Sequence, residues 1–501
     1  RMRSFAFLCC SLVSGVLLTA DAVAKTKISV DIVGAAVNAG VVLGSEATAK
    51  QTIGNLNANT IADDTVTVSL PSAVNLSATL ASGADSEQNI AVITGNTVTG
   101  DSVSVLAKAT IVNAGLAVGG YTKATQDVGM ISAAGSSVKH SSVSVNTTTL
   151  VNTSVGVGSD LGDIEQKVGV ITATSASIYD VKVAANVTTA VNASAGLAAG
   201  AKAEQEIATI SGTSISDSSV KVTATTLTNA SAALASASTA SQMVGVIKGG
   251  SVKNLTLDVN VKSVTNASAG LAAKADAFQN VGFIDTGKGP LSNDTLSIKT
   301  HSITNVSAAL VGGASAKQDV GVISGAAKGS ILKVDVSGGI SNVAATIAGS
   351  AEALQDIGSI DTKGASDDRV SINAEYIHGA SVSLLGAAKV EQLIGSVSGD
   401  KVKNSAVTLN LGEVSGAGVG FLGAGNAVER LGVISTSGTV SKINVNVKAG
   451  NISTSGVGIN STGSIILGSV SGSSVADDSL TITTGSLSAN GTGVGSRASI
   501  A

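Results

Sequence analysis

Aromatic residues are nearly absent from this 501-residue chain, which has no Trp, three Tyr and five Phe. Aromatic side chains bury the most area per residue, so a compact globular core of this size would use many more of them. The sequence is nevertheless 44% hydrophobic, whereas disordered chains are highly charged and poor in β-branched residues. Its many Ala, Gly, Ser, Val and Thr residues instead favour thin, closely stacked β-structure.

Cysteine is limited to Cys9 and Cys10, which both lie in the apolar N-terminal segment 5–18. Arginines precede this segment, and an Ala-Val-Ala sequence follows it, as at a signal-peptide cleavage site. The pattern predicts a signal peptide over residues 1–24 and a mature chain, 25–501, without cysteine. We therefore expect a secreted, extracellular or cell-surface protein that folds without disulfide bonds.

Long runs of one residue class are also missing. No stretch of about twenty apolar residues follows the N-terminal segment, so no membrane-spanning helix is predicted. The net charge is −4 and is spread along the chain without basic clusters, which argues against a nucleic-acid partner.

Residues that commonly carry catalysis or bind metals are few and scattered. His140, His301 and His378 share no common setting in the sequence, and no carboxylates or triad residues cluster. Aspartate pairs such as Asp63-Asp64 are typical of turns, and they lack the spacing of calcium-binding solenoids. We therefore predict neither an enzyme nor a cofactor, and an enzyme built on a repeat scaffold is a distant alternative.

An internal repeat fills the remaining chain. The pattern Gln-x-[Val/Ile]-[Gly/Ala]-x-Ile recurs every 36 to 40 residues, and its frame continues at Glu429 and Ile465 to give twelve copies. Its first position is glutamine in ten copies: Gln51, Gln88, Gln126, Gln166, Gln205, Gln242, Gln279, Gln318, Gln355 and Gln392.

Positions after the glutamine are equally regular. The second and fifth are aliphatic in every copy, and the third is Gly or Ala. Alternate residues of a strand share a face, so the glutamine should point the same way as the aliphatic residue two positions on. Because Ala91 and Ala208 occupy the third position in two copies, we attribute its small size to close backbone approach at a bend rather than to positive φ.

An asparagine precedes the glutamine by thirteen residues, once by fourteen, in the first nine copies. Gly379 and Gly416 replace it later, and the residue five positions on is apolar throughout, ending at Phe421 and Val457. A third, cleanly alternating strand such as SVSVN at 142–146 lies between each glutamine block and the next asparagine. The asparagines are Asn38, Asn75, Asn113, Asn152, Asn192, Asn229, Asn266, Asn305 and Asn342.

These amides are predicted to form ladders. A solenoid stacks equivalent residues about 4.8 Å apart, so that each amide bonds to the copies above and below it. Exposed amides and N-glycosylation are alternatives, since Asn192-Ala-Ser194 is an acceptor sequence. However, Asn38, Asn113 and Asn342 lack the following Ser or Thr, which favours a structural role for the asparagine itself.

The fold predicted for 25–501 is a single all-β solenoid domain of about twelve stacked layers. Each layer has about 37 residues in three or four short strands, giving a column of roughly 60 Å. The position after the glutamine mixes charge signs, as expected of an outward face, although Asp319 and Asp356 are an unfavourable pair.

The repeat, with its Asn-Ala-Gly-rich segment, Gln block and Gly-Ile-Ser/Thr-Gly ending, resembles the Fap-type fimbrial amyloid subunits of bacteria over about residues 30 to 475. It is more distantly similar to the curlins. The resemblance implies Greek-key layers that stack into biofilm fibres, with secretion and nucleation proteins as possible helpers. The chain departs from that family in having nearly continuous repeats and no C-terminal Cys-x-x-Cys, which leaves the export route and those helpers open.

Together these features predict a secreted structural protein that polymerises head to tail with itself into an extracellular amyloid-like fibre. Unpaired strand edges at the column ends would template the next subunit. A monomeric solenoid adhesin or surface stalk is the alternative. The last copies, in which Glu429 and Ile465 replace the glutamine, either modify this docking between subunits or have simply diverged as terminal repeats do.

Overall fold

The computed structural model describes residues 17–19, 27–42, 46–80, 83–157, 162–197, 200–361 and 364–501. These residues form a β-solenoid of twelve layers followed by a partial layer, 479–501, and contain no helix. The all-β solenoid predicted from the repeat is confirmed. Two parallel sheets run along its length; we call them the Asn sheet and the Gln sheet after their amide columns.

The Asn sheet has 15 strands. They are Lys27–Asp31, Ala35–Val42, Thr65–Leu70, Ser72–Thr79, Ser102–Val118, Ser142–Val157, Lys182–Gly196, Ser219–Ala233, Thr256–Gly270, Thr295–Val311, Ile331–Ala348, Arg369–Ser383, Ala406–Gly420, Asn444–Gly458 and Ser479–Thr492.

The Gln sheet has 26 strands, many of them short. They are Leu17–Thr19, Ala47–Ile53, Asn55–Asn57, Thr60–Ala62, Ala84–Thr99, Thr122–Lys139, Gly162–Ala173, Ser177–Tyr179, Ala201–Gly212, Ser214–Ser216, Ser238–Gly249, Val252–Lys253, Ala275–Ser292, Ala314–Lys328, Ala351–Asp361, Ala365–Ser366, Ala388–Ile394, Val397–Gly399, Val402–Lys403, Gly425–Leu431, Ile434–Thr436, Thr439–Ser441, Thr462–Leu467, Val470–Ser471, Ser474–Ala476 and Arg497–Ile500.

One layer shows how the chain runs. Lys182–Gly196 crosses the Asn sheet, the chain turns, Ala201–Gly212 returns in the Gln sheet, and Ser214–Ser216 completes the layer. The alternating strand and the asparagine segment, predicted to be separate, form one continuous strand here. Its inward-facing residues shift phase between Val187 and Ala190, so a local bend replaces the expected turn.

The bend after each glutamine requires positive φ, so our expectation of close approach alone was wrong. Ala91 and Ala208 have φ of 54° and 52°, in the left-handed region that costs an L-residue about 1–2 kcal/mol. Glycine occupies this position elsewhere, with φ from 56° to 64°: Gly54, Gly129, Gly169, Gly245, Gly282, Gly321, Gly358, Gly395, Gly432 and Gly468. The kink lets the residues two and five after the glutamine, such as Ile207 and Ile210, both face the interior.

The interior between the sheets is divided by residue size. Ile, Val and Leu from both sheets form one continuous core along the solenoid. Beyond the amide columns lies a thinner region of alanines, including Ala275, Ala314 and Ala351. Because these side chains are small, the backbones of the Asn sheet and the Gln sheet lie close together there. One amide side chain is long enough to reach from one sheet to the other.

Each layer ends at a second position with positive φ. It is occupied by the first aspartate of the pairs Asp63-Asp64, Asp367-Asp368 and Asp477-Asp478, and by Asn or Gly in several other layers. Asp and Asn tolerate this conformation better than most residues do. The turn interpretation of these aspartates is therefore confirmed.

The predicted signal peptide falls mostly outside the described residues. Of it, only Leu17–Thr19 is described, as a strand parallel to Asn55–Asn57. In the part of the chain that the structure describes, no helix is long and apolar enough to cross a membrane.

Candidate functional site

The ten glutamines stack into a single hydrogen-bonded column. They pair in register from Gln51 to Gln392. In each step the Nε2 of one glutamine donates to the Oε1 of the preceding one, at 2.6 to 2.9 Å. The predicted glutamine ladder is present, and all nine of its bonds have the same direction.

The nine asparagines form a second column beside it, with the opposite direction. The Nδ2 of each donates to the Oδ1 of the following asparagine, at 2.8 to 3.1 Å. Asn266 also lies 3.1 and 2.9 Å from the carbonyl oxygens of Ala240 and Phe278 in the Gln sheet. The asparagines therefore link neighbouring layers and the two sheets at once.

Burial excludes the two alternative explanations of the amides. Asn192 and Gln205 are fully buried, as are most members of both columns, and Asn38 is the least covered. A buried Asn192 is no acceptor for a glycan in the folded chain. A buried amide without a partner costs about 1–3 kcal/mol, and the ladders remove that cost in every internal layer.

The columns change character toward the C-terminal end. Gly379 and Gly416 occupy the asparagine position, and register places Thr454 there in the next layer. Consequently Ile459, rather than Val457, takes the apolar position five residues on. In the glutamine column Glu429 pairs with Gln392 and is followed by Ile465.

Glu429 is fully buried in this column. Burial raises the pKa of its carboxyl to about 9, with no opposing charge nearby. The missing Cβ of Gly416 makes room for it, because a Cβ there would lie 2.8 Å from Glu429 Oε1. A neutral carboxyl can donate a hydrogen bond as an amide does, so Glu429 can extend the ladder while it is protonated.

A further inward column of Asp and Ser, not predicted from the sequence, precedes most Asn-sheet strands; Val181, Leu255 and Ile443 take its place in three layers. Asp294 Oδ1 accepts the backbone N–H of Leu255 from the layer before, at 2.8 Å, and Asp368 does the same for Ser330. Burial raises the pKa values of Asp294 and Asp368 to about 6. The recurring Asp or Ser immediately before these strands was the signal that could have identified the column.

The position after the glutamine faces outward, but it is more sheltered than predicted. The kink folds later residues of the strand over it, so Asp356 is partly covered, with Asp319 beside it in register. Burial chiefly raises the pKa of Asp356 to about 7, and the adjacent Asp319 adds to the rise. Partial protonation of Asp356 therefore reduces the repulsion between Asp319 and Asp356 that the sequence predicts.

The three histidines stay apart. His140 contacts Asp180 at 2.9 Å, whereas His301 and His378 contact serines of the next layer. No group of three or more His, Cys, Asp or Glu side chains within the described ranges is arranged to hold a metal ion.

The last described layer, 479–501, is partial. Among the described residues, Ser479–Thr492 pairs on one side only, with Asn444–Gly458. Leu480 and Ile482 continue the core columns of Val445 and Val447 but are 46% and 39% exposed. Within the described residues, this layer is therefore an edge with a partly exposed strip of core.

Comparison with known proteins identifies no relative: no protein family, curated protein or solved structure matches this chain.

Proposed function

We propose that this protein is a secreted structural subunit that stacks head to tail into an extracellular amyloid-like fibre, as its resemblance to Fap-type fimbrial subunits implies. The unbroken register of the layers carries the proposal. Parallel pairing runs from Lys27–Asp31 to Ser479–Thr492 with the same inward columns, so a layer from another subunit can add by the same pairing.

The opposite end offers matching columns. In the first layer, Lys27–Asp31 pairs in register with Thr65–Leu70, and Ile28 and Val30 align with Val66 and Val68. Docking Ser479–Thr492 of one subunit beneath this strand of the next would continue the same parallel pairing. Such a heterologous contact does not close on itself, so it produces a filament.

Electron microscopy and fibre diffraction of the purified chain test the proposal. Long unbranched filaments with an axial reflection near 4.7–4.8 Å are expected. Single rods of roughly 60 Å that never join would instead favour a monomeric stalk or adhesin.

Matched end variants sharpen the test. Leu480→Lys with Ile482→Lys places charge on the inward side of the strand Ser479–Thr492, so stacking would bury it, at a high cost. Thr481→Lys with Thr483→Lys places the same charge on the outward side of that strand. We expect only the first pair to shorten the filaments; equal lengths for both pairs would refute stacking through this end.

A further inference from the structure

One outer surface of the solenoid carries no charge. It consists of the outward positions one, three and five residues after each asparagine position, such as Ala193, Ala195 and Leu197; we call it the apolar face. In the described layers these positions hold apolar residues, apart from Thr153, Ser455 and, in the partial last layer, Asn490 and Thr492. Contiguous apolar patches larger than a few hundred Å² are rare on monomeric soluble proteins and mark interaction surfaces.

Other outer surfaces of the same solenoid do carry charge. Lys182, Lys221 and Lys299 point outward from the first halves of the same Asn-sheet strands. The outer side of the Gln sheet has ion pairs such as Lys50 with Glu87 at 3.0 Å. The absence of charge is therefore specific to the apolar face and is not a consequence of the chain's composition.

The apolar face has a ridge and a trough. The ridge is a column of side chains that are 39 to 47% exposed: Leu197, Leu234, Leu271, Leu310, Ile347 and Leu384. The trough lies beside the ridge and is a groove of about 860 Å³ that runs along the solenoid. Its base is a column of alanines: Ala195, Ala232, Ala269, Ala308 and Ala345.

We infer that the apolar face is a lateral docking surface for a second copy of this chain. Each layer contributes one residue to the ridge and one to the trough, so the side chains of a second copy have the same spacing along the solenoid axis. Around a two-fold axis, each ridge would lie in the other copy's trough, which makes the contact self-complementary.

The available area is sufficient for a stable contact. Twelve layers at 4.8 Å and five residues of strand width give a face of roughly 58 by 14 Å, or about 800 Å². A standard stable interface buries about 800 Å² on each partner. This contact lies along the side of the solenoid, so it does not depend on the end-to-end stacking proposed above.

The test compares charge placed on the apolar face with charge placed elsewhere in the same layers. Leu234→Lys with Phe421→Lys alters the ridge and its continuation in the layer after Leu384, where Phe421 is 68% exposed. Thr223→Lys with Thr408→Lys is the matched control, because these residues face outward from the first halves of strands Ser219–Ala233 and Ala406–Gly420. All four positions are at least partly exposed, so every variant should fold.

Scanning transmission electron microscopy of the purified chain gives mass per unit length. The wild-type chain and the control are expected to have twice the value of a single solenoid, and the ridge variant half of the wild-type value. A single-solenoid value for the wild-type chain, or equal values for both variants, would overturn the inference. Binding of single-width particles to phosphatidylcholine vesicles would identify a lipid surface as the occupant instead.

The two proposals fail in different ways. Loss of end-to-end stacking shortens the particles without changing their mass per unit length. Loss of lateral docking halves the mass per unit length without requiring a change in particle length.

Discussion

The carboxyl group of Glu429 lies in register with Gln392, and one terminal atom of the Gln392 amide is 3.3 Å from Glu429 Oε1. Gln392 Nε2 donates to Gln355 Oε1 at 2.7 Å, so the atom that faces Glu429 is an oxygen. Reversing the Gln392 amide would let it accept the N–H of Gly379 at 3.0 Å and donate to Ser415 O and Glu429 Oε1, but it would set two carbonyl oxygens 2.7 Å apart and break the ladder's uniform direction. In the orientation that keeps the ladder, a proton on Glu429 removes the contact between two acceptor oxygens.

Glu429→Gln should stabilise the protein near neutral pH. The pKa of Glu429 is raised from its ordinary 4.5 to about 9, so its favourable contribution is complete below pH 4.5 and is lost as pH rises toward 9. At pH 7 this loss is about 3 kcal/mol, and a glutamine avoids it while donating to Gln392. Urea unfolding at pH 4 and pH 7 measures the effect.

The control for this substitution is Glu413→Gln, which removes the same charge from an exposed site in the strand Ala406–Gly420. The gain from Glu429→Gln should grow between pH 4 and pH 7, whereas that from Glu413→Gln should not. A gain that is independent of pH would show that Glu429 is not protonated in the ladder.

Asn266→Leu should destabilise the protein by about 3 kcal/mol or more. The change removes the 2.9 Å bonds to Asn229 and Asn305 and leaves buried amide groups without partners. Asn260→Leu is the matched control, because Asn260 is exposed on the same strand. Unfolding midpoints in urea that differ little between the two variants would contradict a structural role for the ladder.

The sequence predicted the repeat, the layer and the ladders because those features depend on residue types that recur at one period. It did not predict the positive φ at Ala91 and Ala208, since alanine there suggested ordinary backbone geometry and only the fold shows that the strain is tolerated. The inward role of Asp294 was also missed. Its nearest partner, the backbone N–H of Leu255, belongs to another layer and carries no signal in the sequence.

Asp294→Ser should raise stability above pH 6 and lower it below pH 4. Serine fills this position in other layers and still accepts the backbone N–H, as Ser218 does from Val181 at 3.2 Å. The pKa of Asp294 is raised to about 6, so its contribution is present below pH 3.8 and is lost as pH rises through 6. The expected gain at pH 7 is up to about 2 kcal/mol.

Asp294→Ala distinguishes this explanation from a simple effect of removing charge. Alanine also lacks the charge, but it leaves the N–H of Leu255 unpaired at a cost of about 1–3 kcal/mol. Denaturation curves at pH 4 and pH 7 should therefore place alanine below serine at both values. Equal stability of the two variants would exclude the hydrogen bond as the reason for this column.

Gly245→Ala should destabilise the protein more than Gly169→Ala does. Both glycines occupy the kink, with φ of 61° and 64°, so each substitution carries a similar backbone cost of about 1–2 kcal/mol. A Cβ at Gly245 would lie 2.6 Å from Val259 Cγ2, whereas one at Gly169 would lie 3.4 Å from its nearest neighbour, Val183 Cγ1. The steric term should add about 1–3 kcal/mol at Gly245 alone. The measurement is the unfolding free energy of both variants under the same conditions. Equal losses would mean that backbone conformation alone, and not steric contact, restricts the kink to small residues.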